Sequence, residues 1–224
     1  MKVKFIPIAI GMAAISVIGC NQSDNNSNEQ AETDSQDSVI ATYLAHLQPL
    51  NTNITKLNTT AEARFVLTRD SMLVTIDVRN APPGIQHWQH FHGFTDNKAA
   101  TCATEANDTN SDGIIDVVET EPVSGTTMVP FNDQAEEMNV GSDTYPKADA
   151  DGSYQYKARI SLEKLRASFK KSFGDSLLDL DRRVLYIHGV PENTNLAKSV
   201  ASIGDIPAHV TLPIACGKIE KLQE

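Results

Sequence analysis

The chain has 224 residues, 40% hydrophobic and 21% charged, enough for one domain with a proper core. Its formal net charge is -10, from 19 Lys and Arg against 29 Asp and Glu, and no basic stripe is present, which speaks against nucleic acid as a partner.

The N-terminus reads as a leader rather than as part of the fold. Met1 to Lys4 is a short basic start, and residues 5–18 are an apolar run of signal-peptide length, too short for a comfortable membrane span. The run ends in Val17, Ile18, Gly19 and Cys20, which is similar to the lipobox of bacterial lipoproteins. That resemblance implies a signal peptide over residues 1–19, export, and lipidation of Cys20 as the mature N-terminus. The lipid would then hold the protein to a membrane of the cell envelope. Asn21 after the cysteine leans towards the outer membrane, facing the periplasm. Cleavage removes Lys2 and Lys4, leaving 17 basic against 29 acidic residues. Residues 20–37 are almost purely polar and cannot bury enough surface to offset ordering entropy, so they read as a disordered tether ahead of a domain over 38–224. With Cys20 taken by lipid, Cys102 and Cys216 are left, and one remaining pair in an exported chain suggests a disulfide.

Residues 41–50 and 63–68 read as strands. In residues 72–78, Met72, Val74, Ile76 and Val78 alternate with Leu73, Thr75 and Asp77, a period of two with a β-branched bias. A turn follows at residues 80–84, and the next strand falls in residues 86–94. Short strands joined by short connections predict a mainly β fold, a β-sandwich or barrel. Residues 95–153 are mostly loop-like, an insertion with short apolar pieces such as 127–131. Residues 154–161 return to a strand. Residues 161–173 predict a helix, with Ser161 as N-cap, Lys170 and Lys171 near its end and Gly174 just past it. A further strand ends at His188, and residues 210–216 form a short last strand interrupted by Pro213.

Two stretches carry chemistry. In residues 86–94, His90 and His92 are two apart and share one face of a strand. Two imidazoles side by side are half of a transition-metal site, suited to copper, zinc, iron or nickel. His87 would face the other way, as a supporting group or as a ligand from a bend. Trp88 reads as packing. The other stretch is residues 108–119, which fits the twelve-residue EF-hand-type loop. Asp108, Asn110 and Asp112 fill positions one, three and five, Gly113 the sharp turn, Ile114 the carbonyl position, Asp116 position nine and Glu119 position twelve. Ile115 anchors the loop to the core. The flanks do not read as EF-hand helices, and Pro122 cuts off the downstream side, so one isolated, structural calcium site is expected.

His90, His92, Cys102, His188 and the terminal Ala215-Cys216-Gly217 together resemble the copper/zinc superoxide dismutase family. A looser similarity is to chordin-type (CHRD) β-domains. The first resemblance implies a Greek-key β-sandwich or barrel, copper at His90, His92 and His188, and a disulfide from Cys102 to Cys216. His87 or His209 would be a fourth ligand, and His46 a surface residue. Residues 95–187 contain no histidine, so the family's bridging ligand and zinc site have no counterpart, and Pro213 stands where the family's active-site arginine would be. Dismutation needs a redox-active copper, an open position and cationic steering. The sequence therefore favours a copper-binding lipoprotein, with a copper-only superoxide dismutase and a non-catalytic CHRD-like structural module as alternatives.

Overall fold

The computed structural model describes residues 38–224 except Asn97, Ser176 and Glu224. The leader, Cys20 and the tether lie outside the described residues. Eight strands follow in order: β1 (Ala41–Pro49), β2 (Thr60–Leu67), β3 (Ser71–Arg79), β4 (Gln89–Gly93), β5 (Thr126–Pro130), β6 (Tyr154–Ser161), β7 (Val184–His188) and β8 (Pro213–Lys221). The helices are α1 (Thr52–Thr55), α2 (Val117–Ser124), α3 (Leu162–Phe173) and α4 (Ala208–Thr211).

The strands form one curled, antiparallel sheet in the order β5-β4-β7-β8-β1-β2-β3-β6. The chain crosses between its halves from β3 to β4 and again from β6 to β7, and β6 returns to lie beside β3, a Greek-key arrangement. The fold is mainly β, as the alternating pattern predicted. The period of two decides which side chains enter the core. On β3, Met72, Val74, Ile76 and Val78 are buried while Asp77 points out. Phe65, Phe91 and Phe131 meet between the halves, with ring centroids 4.9–5.8 Å apart. Burying each such ring contributes about 1.5–3 kcal/mol.

β4 and β7 differ from the rest because every residue in them is buried. One face, with Phe91, Leu185 and Ile187, packs into the main core. The opposite face carries His90 and His92 on β4 and Tyr186 and His188 on β7. Tyr186 packs there with Val184, Ala100 and Cys216. The chain between β4 and β5 closes over this side, and the Cys102–Cys216 disulfide pins it to β8, with Cα atoms 5.8 Å apart.

The insertion is more ordered than its composition predicts, holding α2 and β5. Pro122 does not cut the helix off but lies inside α2. Asp116 starts the helix as N-cap, with Glu119 completing a capping box, so the loss of one internal hydrogen bond at the proline is tolerated in so short a helix. The C-terminal segment also departs from expectation. Residues 208–211 are helical, and the last strand begins at Pro213 and runs to Lys221. A first strand position is where proline costs nothing in ladder hydrogen bonds. The helix after Ser161 and its Gly174 cap, with φ 80°, form where expected.

Candidate metal centre

β4 and β7 are antiparallel, with His90 opposite Tyr186 and His188 donating its backbone N–H to Trp88 O. The register places His188 diagonally across from His90. Bulges between His90 and His92 on the β5 side, and between Ile187 and His188 on the β8 side, re-aim these side chains. The three rings converge, with centroids 4.6 Å apart for His90 and His188, 4.9 Å for His90 and His92, and 5.9 Å for His92 and His188. One nitrogen from each lies within 4.8 Å of the others. The exposures are 3%, 2% and 1% for His90, His92 and His188.

The hydrogen bonds identify the free nitrogens. His188 Nδ1 is 2.7 Å from Thr211 O and His92 Nδ1 is 3.2 Å from Gly125 O, so each donates there and keeps its proton on Nδ1. That leaves Nε2 of both rings with its lone pair, the one on His92 lying 3.4 Å from the Thr127 hydroxyl, which can donate to it. His188 Nε2 and His90 Nδ1 are buried without a hydrogen-bond partner. An unpartnered buried polar atom costs about 1–3 kcal/mol, which a bound cation would offset. Burial lowers His92 to about 4 and His188 to about 3, and holds His90 well below the usual value; neighbouring imidazoles add to the effect at His90 and His188. At neutral pH all three are uncharged, the form that binds a metal.

His87 is buried outside the trio. Its Nδ1 lies 3.0 Å from His188 O and its Nε2 2.9 Å from Pro82 O, and a neutral imidazole has one N–H to give to one of them. Its ring stacks on Tyr154 with an interplanar angle of 4°. It therefore supports the backbone of His188 rather than supplying a ligand. His209 sits on α4, where its backbone O accepts from Val190 N, and it is not in the converging group. His46 is exposed on β1, with Nδ1 3.7 Å from Glu62 Oε2. Trp88 stacks on Tyr145 at 5.4 Å.

Residues 108–119 form a tight loop turning at Gly113, with φ 79°. Asp108 accepts from the N–H groups of Asp112 and Gly113, Asn110 Oδ1 from Asp112 N, and Asp112 Oδ1 from Ile114 N. Glu119 folds back into the loop, where Oε1 accepts from the backbone and hydroxyl of Thr109 and Oε2 from Asp116 N. The carboxylates are thus engaged with the loop's own donors and, at Asp112 and Asp116, also with Ser199 Oγ and Ala201 N. Among the described residues, His90, His92 and His188 are the group of metal-binding side chains whose ligand atoms converge. Asn51 fastens the loop to the sheet. Its Nδ2 donates to Ile115 O and Pro213 O, and its Oδ1 accepts from Ile115 N.

Sequence reasoning missed three parts of this centre. Tyr186 lies against His92, with centroids 4.8 Å apart, and its hydroxyl accepts from Ala103 N and meets Ser124 Oγ. Its position two residues before His188, hence on the same strand face, was a usable signal. The carbonyls of Gly125 and Thr211 carry no side-chain signature.

The fold and site define a mainly β domain with a buried, three-histidine centre able to hold a metal ion. The chain matches no family model and no curated protein.

Proposed function

We propose that this is a copper-binding domain whose ion is held by His90 Nδ1, His92 Nε2 and His188 Nε2, in a lipid-anchored protein of the bacterial envelope. The observation that carries the reading is the convergence of three neutral, buried imidazoles, two of which point unpartnered nitrogens at the shared space. An all-imidazole donor set suits copper, as it does zinc, iron and nickel. The order of His90, His92, Cys102, His188 and Cys216, similar to that of superoxide dismutases, supports copper over zinc. A bound copper would supply one-electron redox chemistry. The chain's part is to orient three lone pairs and exclude water. With ligands only 1–3% exposed, the arrangement favours holding the ion over turning over a diffusing substrate. The leader and Cys20 support export and anchoring. The spacing of Asp108, Asn110, Asp112, Asp116 and Glu119 around Gly113 supports a structural calcium ion in the acidic loop.

Elemental analysis of the mature chain, produced in a periplasm supplied with copper and calcium, tests this. About one copper per chain is expected, falling to none in His90→Ala. Copper content unaffected by that substitution would sink the assignment. A superoxide assay on the copper-loaded chain separates a binding domain from a copper-only dismutase.

A further inference from the structure

The two carbonyls that set the histidine tautomers belong to segments distant in sequence, and both segments lead to one side chain. Gly125, whose O faces His92 Nδ1, is the C-cap of α2. The same helix is started by Asp116, whose Oδ1 accepts from Val118 N at 2.9 Å and Glu119 N at 3.0 Å. The other oxygen of that carboxylate, Oδ2, accepts from Ala201 N at 2.7 Å. The next residue, Ser202, has its Oγ 2.9 Å from Thr211 Oγ1 and gives its own proton to Ile206 O. Thr211 O is the acceptor for His188 Nδ1. Asp116 is 2% exposed, so solvent does not compete for either oxygen.

We propose that Asp116 is the positioning residue of the histidine centre, one carboxylate whose two oxygens separately hold the segments that orient His92 and His188. The proposal rests on the trio being the metal ligands and adds what keeps two of them in the ligating tautomer. It gives Asp116 a role that calcium coordination does not require. Partners that orient ligating histidines typically change metal affinity 10–100-fold when removed.

The decisive substitution is Asp116→Asn. Asparagine caps a helix as well as aspartate does, so α2 and the fold survive. A carboxamide has one acceptor oxygen where the carboxylate has two; with that oxygen kept by the α2 cap, the Ala201 arm loses its acceptor. Imidazole nitrogen NMR of the metal-free mature chain reads the result directly. Wild type should show protected Nδ1–H groups on both His92 and His188. In Asp116→Asn one of them should lose protection while the other keeps it. Ser202→Ala, which leaves α2 untouched, should loosen His188 alone. Copper affinity should fall about tenfold or more in Asp116→Asn. Both Nδ1–H signals and the copper affinity unchanged in Asp116→Asn would overturn the proposal. Failure of wild type to bind copper would instead overturn the functional reading, while the metal-free signals would still decide the role of Asp116.

Discussion

The histidine centre and the acidic loop are both sets of polar side chains buried or half-buried near one another, yet they end in opposite states. The histidines come from two strands whose positions are fixed by ladder hydrogen bonds and by Phe91, Leu185 and Ile187 packing behind them. They cannot turn away to find partners, and two nitrogens stay unpaired. The acidic residues come from one short contiguous stretch, where each carboxylate reaches a backbone N–H a few residues away. A rigid scaffold can thus keep ligands unsatisfied at a cost, whereas a local loop tends to satisfy itself.

Cutting the covalent link between the two regions is expected to have the largest effect. Replacing both Cys102 and Cys216 by serine frees the insertion from β8 and should lower unfolding free energy by roughly 4 kcal/mol, read by denaturant titration. A loss below about 1 kcal/mol would show that Asn51 and the covering segments hold the insertion unaided.

Gly125→Ala strikes the histidine side directly, at the far end of α2 from the acidic loop. Gly125 has φ 74°, and a Cβ there would lie 2.1 Å from Gly93 O. The positive φ by itself should cost about 1–3 kcal/mol, and the displaced carbonyl should release His92 Nδ1. Wild-type stability and an unchanged His92 signal would mean the β4 to α2 approach is looser than it looks.

Acid acts on the histidine side, because burial depresses the pKa of these histidines. His92 falls to about 4 and His188 to about 3 when folded, against 6.5 for an ordinary histidine. The unfolded chain therefore binds more protons as pH falls below 6.5. The metal-free chain should be fully stable above that value and lose about 1.4 kcal/mol per pH unit for each such histidine on the way down to pH 3–4. Melting curves of wild type and His188→Gln between pH 7 and 4.5 measure the slope. An identical slope in the two would assign the acid sensitivity elsewhere.

The smallest effect is expected at Asp112→Ala. Asp112 accepts from Ile114 N and from Ser199 Oγ at the surface, so without added metal the loss should be about 0.5–1 kcal/mol. With calcium the difference should widen, since wild type gains stability and the variant does not. Melting temperatures that respond identically to calcium would remove the ion from the loop.

Much of this was legible before any fold was known. The alternation of Met72 to Val78 made β3 certain because a half-buried strand needs that period. His90 and His92 had to share a face for the same reason, and with Cys20 read as the lipidated residue, Cys102 and Cys216 were the cysteines left to pair. What remained hidden depends on long-range register. Whether His188 meets His90 is set by the pairing of β4 with β7 and by two bulges, none of which leaves a local trace. The extension of the last strand to Lys221 follows from its pairing with β1, where Ala45, Leu44 and Tyr43 face Ile219, Glu220 and Lys221. The acceptors at Gly125 and Thr211 are peptide carbonyls, present at every residue and distinguished only by where the chain folds. The sequence by itself determined the kinds of side chain and their local faces, because those follow from backbone periodicity. Only the tertiary structure decided which of them meet, how dry the meeting place is and which nitrogen is free, because those are properties of distances between segments.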